Sequence, residues 1–175
     1  MKKIKQLAKI SLFVLALSLG SCSSDEGGSS TGGGVAAEGT IKAKVDGKSI
    51  TTIKEGTLAV NTSGMLTVQG TTMSGEGITI IVYNFNGAGT YDIITGNDLG
   101  AVFAYTKVDL NNPSSTNNTW YAPLDETSGT SGTVTVTEST DEGVKGTFSF
   151  KGINDLGTFK NVTNGAFNVK YTQFQ

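Results

Sequence analysis

From residue 40 onward, apolar and polar residues alternate in short runs that stop at glycine- or asparagine-containing turns. A period of two is the signature of strands half buried on one face. Thr40–Val45 directs Ile41, Ala43 and Val45 to one side and Lys42 and Lys44 to the other. Asp46-Gly47 follows, a favoured pair for a two-residue hairpin turn because both central positions take positive φ. Residues 48–53 are then the return strand. Residues 58–61 and 66–70 pair across Thr62-Ser63-Gly64, with Leu66 and Val68 inward. Residues 78–83 (ITIIVY) are apolar at nearly every position, which predicts a central strand covered on both faces. Further strands are expected at 90–94, 101–108, 133–137 and 145–151. Residues 158–162 and 166–171 close the chain as two more, the last with Phe167, Val169 and Tyr171 on one face.

These segments predict an all-β domain of about nine or ten strands, joined by short connections. No helical period appears outside the first twenty or so residues. Threonine fills many outward positions, where β-branching suits the pleat. The expected architecture is a single antiparallel β-barrel or a β-sandwich, and periodicity leaves both open. The longest polar loop, 109–119 (DLNNPSSTNNT), ends in Trp120-Tyr121.

The first residues carry a different pattern. Lys2, Lys3, Lys5 and Lys9 precede an apolar run over 10–19, broken only by serines, and then Gly20-Ser21-Cys22. That is the basic, apolar and small-residue succession of a secretory signal. Its apolar part is too short for a bilayer span, which needs about 20 residues. Leu19-Gly20-Ser21-Cys22 resembles the bacterial lipobox, which implies removal of residues 1–21 and lipidation of Cys22, the only cysteine in the chain. Ser23-Ser24-Asp25-Glu26 resembles the surface-export tag of Bacteroidota lipoproteins, which implies an address at the outer membrane, lipid-anchored and facing the cell exterior. Residues 27–34 (GGSSTGGG) offer nothing apolar to bury and should behave as flexible coil. The expected organisation is a signal peptide at 1–21, a tether at 22–37 and a β domain at 38–175.

Removal of the signal takes four of the 13 basic residues and no acid, leaving nine lysines against 15 acids and a net charge of −6. Arginine is absent. An acidic surface without guanidinium groups is poorly suited to phosphate, so nucleic acid and other acidic polymers are not expected partners.

Histidine is also absent, which removes Ser-His-Asp and Cys-His catalysis and the commonest zinc ligand. The one cysteine is committed to lipid. No βαβ unit is available for a dinucleotide. No cofactor, metal or catalytic residue is therefore expected, and the domain reads as non-enzymatic. Two carboxylates could still support glycoside hydrolysis, the candidates being Asp92 with Asp98, Asp125 with Glu126, or Asp141 with Glu142. Oxygen ligands for calcium could come from Asn97, Asp98, Asp109, Asn111 and Asn112, without the spacing of a dedicated loop. Trp120 and Tyr121 are the candidate ligand-binding residues, because an aromatic face beside amide groups can grip a sugar ring.

Residues 132–138 (GTVTVTE), 146–150 (GTFSF) and 162–171 (VTNGAFNVKY), with Val45-Asp46-Gly47-Lys48 and Gly89-Thr90-Tyr91, resemble a family of uncharacterised small Bacteroidota lipoproteins. The resemblance implies a β-rich domain of unknown function and carries no catalytic residue over. The leading expectation is a membrane-anchored binding domain at the cell envelope, with a glycan or a protein as ligand. The alternatives are a structural or accessory subunit of an envelope complex, a carrier of an apolar ligand inside a barrel, and a two-carboxylate hydrolase.

Overall fold

The computed structural model describes residues 34–93, 100–109, 112, 116–122 and 129–172. The expected signal peptide, Cys22 and the expected tether as far as residue 33 lie outside the described residues, as do Asn97, Asp98, Asn111, Asp125 and Glu126.

The domain is all-β, a curled antiparallel sheet that forms a half-barrel. Its strands are β1 (Thr40–Val45), β2 (Lys48–Thr51), β3 (Thr57–Thr62), β4 (Met65–Thr71), β5 (Glu76–Val82), β6 (Gly89–Asp92), β7 (Ala101–Lys107), β8 (Thr119–Ala122), β9 (Ser131–Ser139), β10 (Gly143–Ile153) and β11 (Phe159–Lys170). The main path runs β2-β1-β11-β10-β8-β7-β5-β4-β3. The long β10 has room for two neighbours on one edge: β9 covers residues 144–151, and β8 meets it at Ile153. β6 pairs in turn with β9. Where the curl brings its ends together, Thr172 donates its backbone N–H to Ala59 O at 2.8 Å and Ile53 does the same to Thr71 O at 3.0 Å. Of the two expected architectures, the curled single sheet is the one observed.

Inward side chains fill the curl. Phe103 and Phe150 stack at 5.2 Å between ring centroids, and Phe148 packs on Phe150 and Phe167 at 6.4 Å each. Leu66, Val68, Ile78, Ile80 and Val82 are fully buried beside them.

Three sequence expectations are corrected. Residues 78–83 are not covered on both faces: Ile78, Ile80 and Val82 are buried while Thr79 and Ile81 stand half exposed on the outer face. Among the described residues no helical layer covers the outer face, so only the inner face needs apolar residues. Residues 158–162 and 166–171 are not two strands, because Phe159–Lys170 is continuous. Asn164-Gly165, which reads as a turn, is a β-bulge: the register against β10 slips by one between Phe148 and Phe150, with Asn164 at φ 52°. Trp120-Tyr121, read as the end of a loop, belongs to the short strand β8.

The chain already makes contacts with the domain at residue 36. Ala36 is 3% exposed, and its carbonyl accepts a hydrogen bond from Asn168 Nδ2. Gly39 N–H donates to Asn168 O at 2.7 Å, and Lys170 pairs with Glu38 at 3.0 Å. The chain from the tether therefore enters beside the C-terminal end of β11.

Candidate functional site

Alternation on β8 separates the two predicted aromatics. Trp120 points inward and is 8% exposed. Its ring lies 5.6 Å from that of Tyr105, and its Nε1–H donates to Thr158 Oγ1 at 3.0 Å. Thr158 Oγ1 donates onward to Asn154 Oδ1, and Asn154 Nδ2 donates to Asn117 O. This chain of bonds ties β8 to the turn between β10 and β11. Lys160 Nζ stands 5.5 Å from the indole and is neutralised by Asp46 at 2.7 Å. Asp46 also accepts Asn161 N–H, and these two contacts hold its carboxyl below the usual range against a small opposing effect of burial.

Tyr121 leaves on the outer face and is 43% exposed. Trp120 and Tyr121 therefore do not share a binding face. The register gives Tyr121 other companions: it lies opposite Ile153 on β10, and Ile153 lies opposite Phe159 on β11. Directly paired residues point to the same side of a sheet, so the three form one outward row across three strands. Phe159 is 40% exposed. Tyr121 and Phe159, two strands apart, are separated by about 9.5 Å at the backbone from the usual strand spacing.

Beside that row, Lys151 Nζ sits 4.2 Å from the centroid of the Phe159 ring. Lys151 is paired in register with Asn161 on one side and Ser131 on the other. The strip thus combines two exposed rings, an ammonium, an amide and a hydroxyl. Sequence reading singled out Tyr121 and not its neighbours Phe159 and Lys151, since the three meet only through pairing of strands distant in sequence. The β10–β11 hairpin around Asn154–Thr158 was the signal available for Phe159.

On the inner face beneath the strip, a Cβ on Gly152 would lie 2.9 Å from Trp120 O and 3.1 Å from Tyr121 O. Only glycine lets the β8 backbone close onto β10 here. At the rejoined ends of the sheet, a polar cleft of about 420 Å³ is lined by Asn61, Thr62, Thr140, Asp141, Tyr171 and Thr172, with Val60.

The carboxylates separate into solvated and satisfied groups. Asp141 and Glu142 are exposed in the β9–β10 turn, and Asp92 accepts the Thr133 hydroxyl. No group of three aspartate, glutamate, histidine or cysteine side chains placed to hold a metal occurs among the described residues. Glu76, 5% exposed, is the acid that sequence reading missed. Its oxygens accept from Tyr105 OH and Ser74 Oγ at 2.9 Å each, and Lys48 Nζ lies at 3.6 Å. Burial pushes its pKa up, yet the two hydroxyls and the lysines outweigh that and hold it below the ordinary value. Burial, then the facing carboxylate, raises the Tyr105 phenol. The signal was its phase: Glu76 shares the inward set with Ile78, Ile80 and Val82.

A family model described as a domain of unknown function, DUF6252, matches residues 37–169. The chain belongs to that family. No curated protein and no solved structure matches it. The DUF6252 match begins one residue after the buried Ala36 and ends at Val169 on the last strand. It therefore takes in the whole half-barrel, including every described residue of the aromatic strip.

Proposed function

We propose that this chain is an envelope lipoprotein, anchored through lipid on Cys22, whose DUF6252 domain is a non-enzymatic module that binds a glycan on its outward aromatic strip. The observation that carries this reading is the row Tyr121–Ile153–Phe159, where two rings stand exposed on the outer face rather than packed inside. Sheet-borne rings of this kind offer sugars a flat apolar surface, and the amide and hydroxyl beside them suit sugar hydroxyls.

Position supports the same reading. Nine residue steps of β11 separate Phe159 from Asn168, where the tether docks. At about 3.4 Å per step that is roughly 30 Å, so the strip lies toward the end remote from the lipid. An outer-membrane protein that meets soluble polysaccharide would present its binding surface at that end.

The test is a thermal-shift screen of the whole lipidated chain in detergent micelles against plant, algal and host oligosaccharides. Ligand at about 100 times its Kd stabilises the native state by about 2.7 kcal/mol, which raises Tm by several degrees for a domain of this size. Tyr121→Ala and Phe159→Ala should each abolish the shift while leaving the ligand-free Tm nearly unchanged. If every glycan leaves Tm unmoved, or if the shift survives both substitutions, the strip is not a sugar site.

A further inference from the structure

We infer that the glycan is an acidic one, carrying a sparse uronate whose carboxylate is received by Lys151. This rests on the glycan reading above and adds to it the charge of the ligand. Lysines elsewhere on the same strands are already answered: Lys145 on β10 by Glu138 at 2.8 Å, Lys160 on β11 by Asp46 at 2.7 Å and Lys170 on β11 by Glu38 at 3.0 Å. Lys151 has no ion pair among the described residues. What holds it is the face of Phe159, 4.2 Å away.

A ring face positions a cation without neutralising it. Among the described residues, the ammonium is thus held at the edge of the aromatic row by a ring and not by a carboxylate. Asn161 and Ser131, its cross-strand partners, stand on either side. A pyranose stacked between Tyr121 and Phe159 would bring a C5 carboxylate within reach of this cation, with sugar hydroxyls turned toward the amide and the serine.

The net charge of −6 left after signal removal limits the ligand from the other side. A densely charged polyanion would be repelled by the domain as a whole. The fit is therefore to a mostly neutral chain with an occasional uronate.

The test uses matched pairs: glucuronate-bearing xylo-oligosaccharides and galacturonate-rhamnose oligosaccharides, each beside its carboxyl-reduced counterpart. Titrations against the whole lipidated chain in micelles should favour the acid form by about fivefold or more, as expected for an ion pair at a half-exposed site. The preference should shrink as salt rises. Lys151→Gln should equalise the two forms, and Lys151→Arg should keep the preference. Equal affinity for acid and reduced forms in both pairs, with Tyr121→Ala still abolishing binding, overturns the uronate inference and leaves the glycan reading standing. Binding of neutral glycans with neither acidic family bound overturns it equally. Absence of any glycan binding removes both. Should Lys151→Gln fail to fold, the arginine variant and the salt dependence still decide, since a preference insensitive to salt cannot come from the lysine.

Discussion

On a strand, successive side chains leave on opposite faces, so Trp120 and Tyr121 respond to different physics although they are chain neighbours. Trp120 is held by the Tyr105 ring and by the bond to Thr158. Its truncation to alanine should cost about 3–5 kcal/mol, the range for large aromatics lost from a core. Trp120→Phe should cost less, near 1 kcal/mol for the lost hydrogen bond. Tyr121→Ala should cost under about 1 kcal/mol, as for surface positions generally, yet remove ligand binding. Chemical denaturation of the three variants, run beside the glycan titration, checks this inversion between stability and affinity. Glu76 supplies the second residue-scale prediction. Its folded pKa lies below the ordinary value of 4.5, so the unfolded chain binds the proton more readily. The stabilisation is present above about pH 4.5 and is lost as pH falls through the folded pKa. Glu76→Gln should flatten the fall in Tm on acidification below pH 4.5 while lowering Tm at pH 7. The acid was legible only as a carboxylate in phase with isoleucines. Its partners Tyr105 and Lys48 come from distant parts of the chain, and no periodicity could name them.

At the scale of elements, alternation found nearly every strand, because each strand has one wet face and one dry face and announces both in sequence. It failed where local signals conflict with the sheet. Asn164-Gly165 carries turn chemistry, yet the neighbours β1 and β10 continue past it and hold β11 as one strand. The extra residue resets the phase: Val162 faces inward before the bulge, and Phe167 and Val169 face inward after it. Without it, one half of β11 would present its core residues to solvent, since a one-residue slip inverts every side chain beyond it. Deletion of Asn164 should therefore prevent cooperative folding, whereas Asn164→Gly should be tolerated within about 1 kcal/mol because glycine accepts positive φ. Circular dichroism melts of the two variants distinguish a required residue count from a required side chain. β8 was missed for a related reason. Four residues next to a long polar loop are too few to show a period, and the strand exists because β7 and β10 both offer it an edge.

The whole molecule has two ends with different work under the proposed function, and they can be separated. Under that reading the strip lies about 30 Å along β11 from Asn168, where Ala36 docks. That distance was not readable from the sequence, because the strip needs the pairing of β8, β10 and β11 to exist. A surface so far from the lipid should bind whether or not the lipid is present. The lipid, contributing about 0.8 kcal/mol per buried CH₂, should hold the membrane whether or not the strip is intact. The prediction is tested with vesicles carrying the protein and beads carrying the glycan. The unaltered chain should bring vesicles to the beads. Cys22→Ser should bind the beads and leave the vesicles behind, while Tyr121→Ala should stay on the vesicles and leave the beads bare. If Cys22→Ser still carries vesicles to the beads, the anchor is not lipid on that cysteine. If it loses the beads as well, anchoring and binding are coupled, and the two-ended arrangement is wrong.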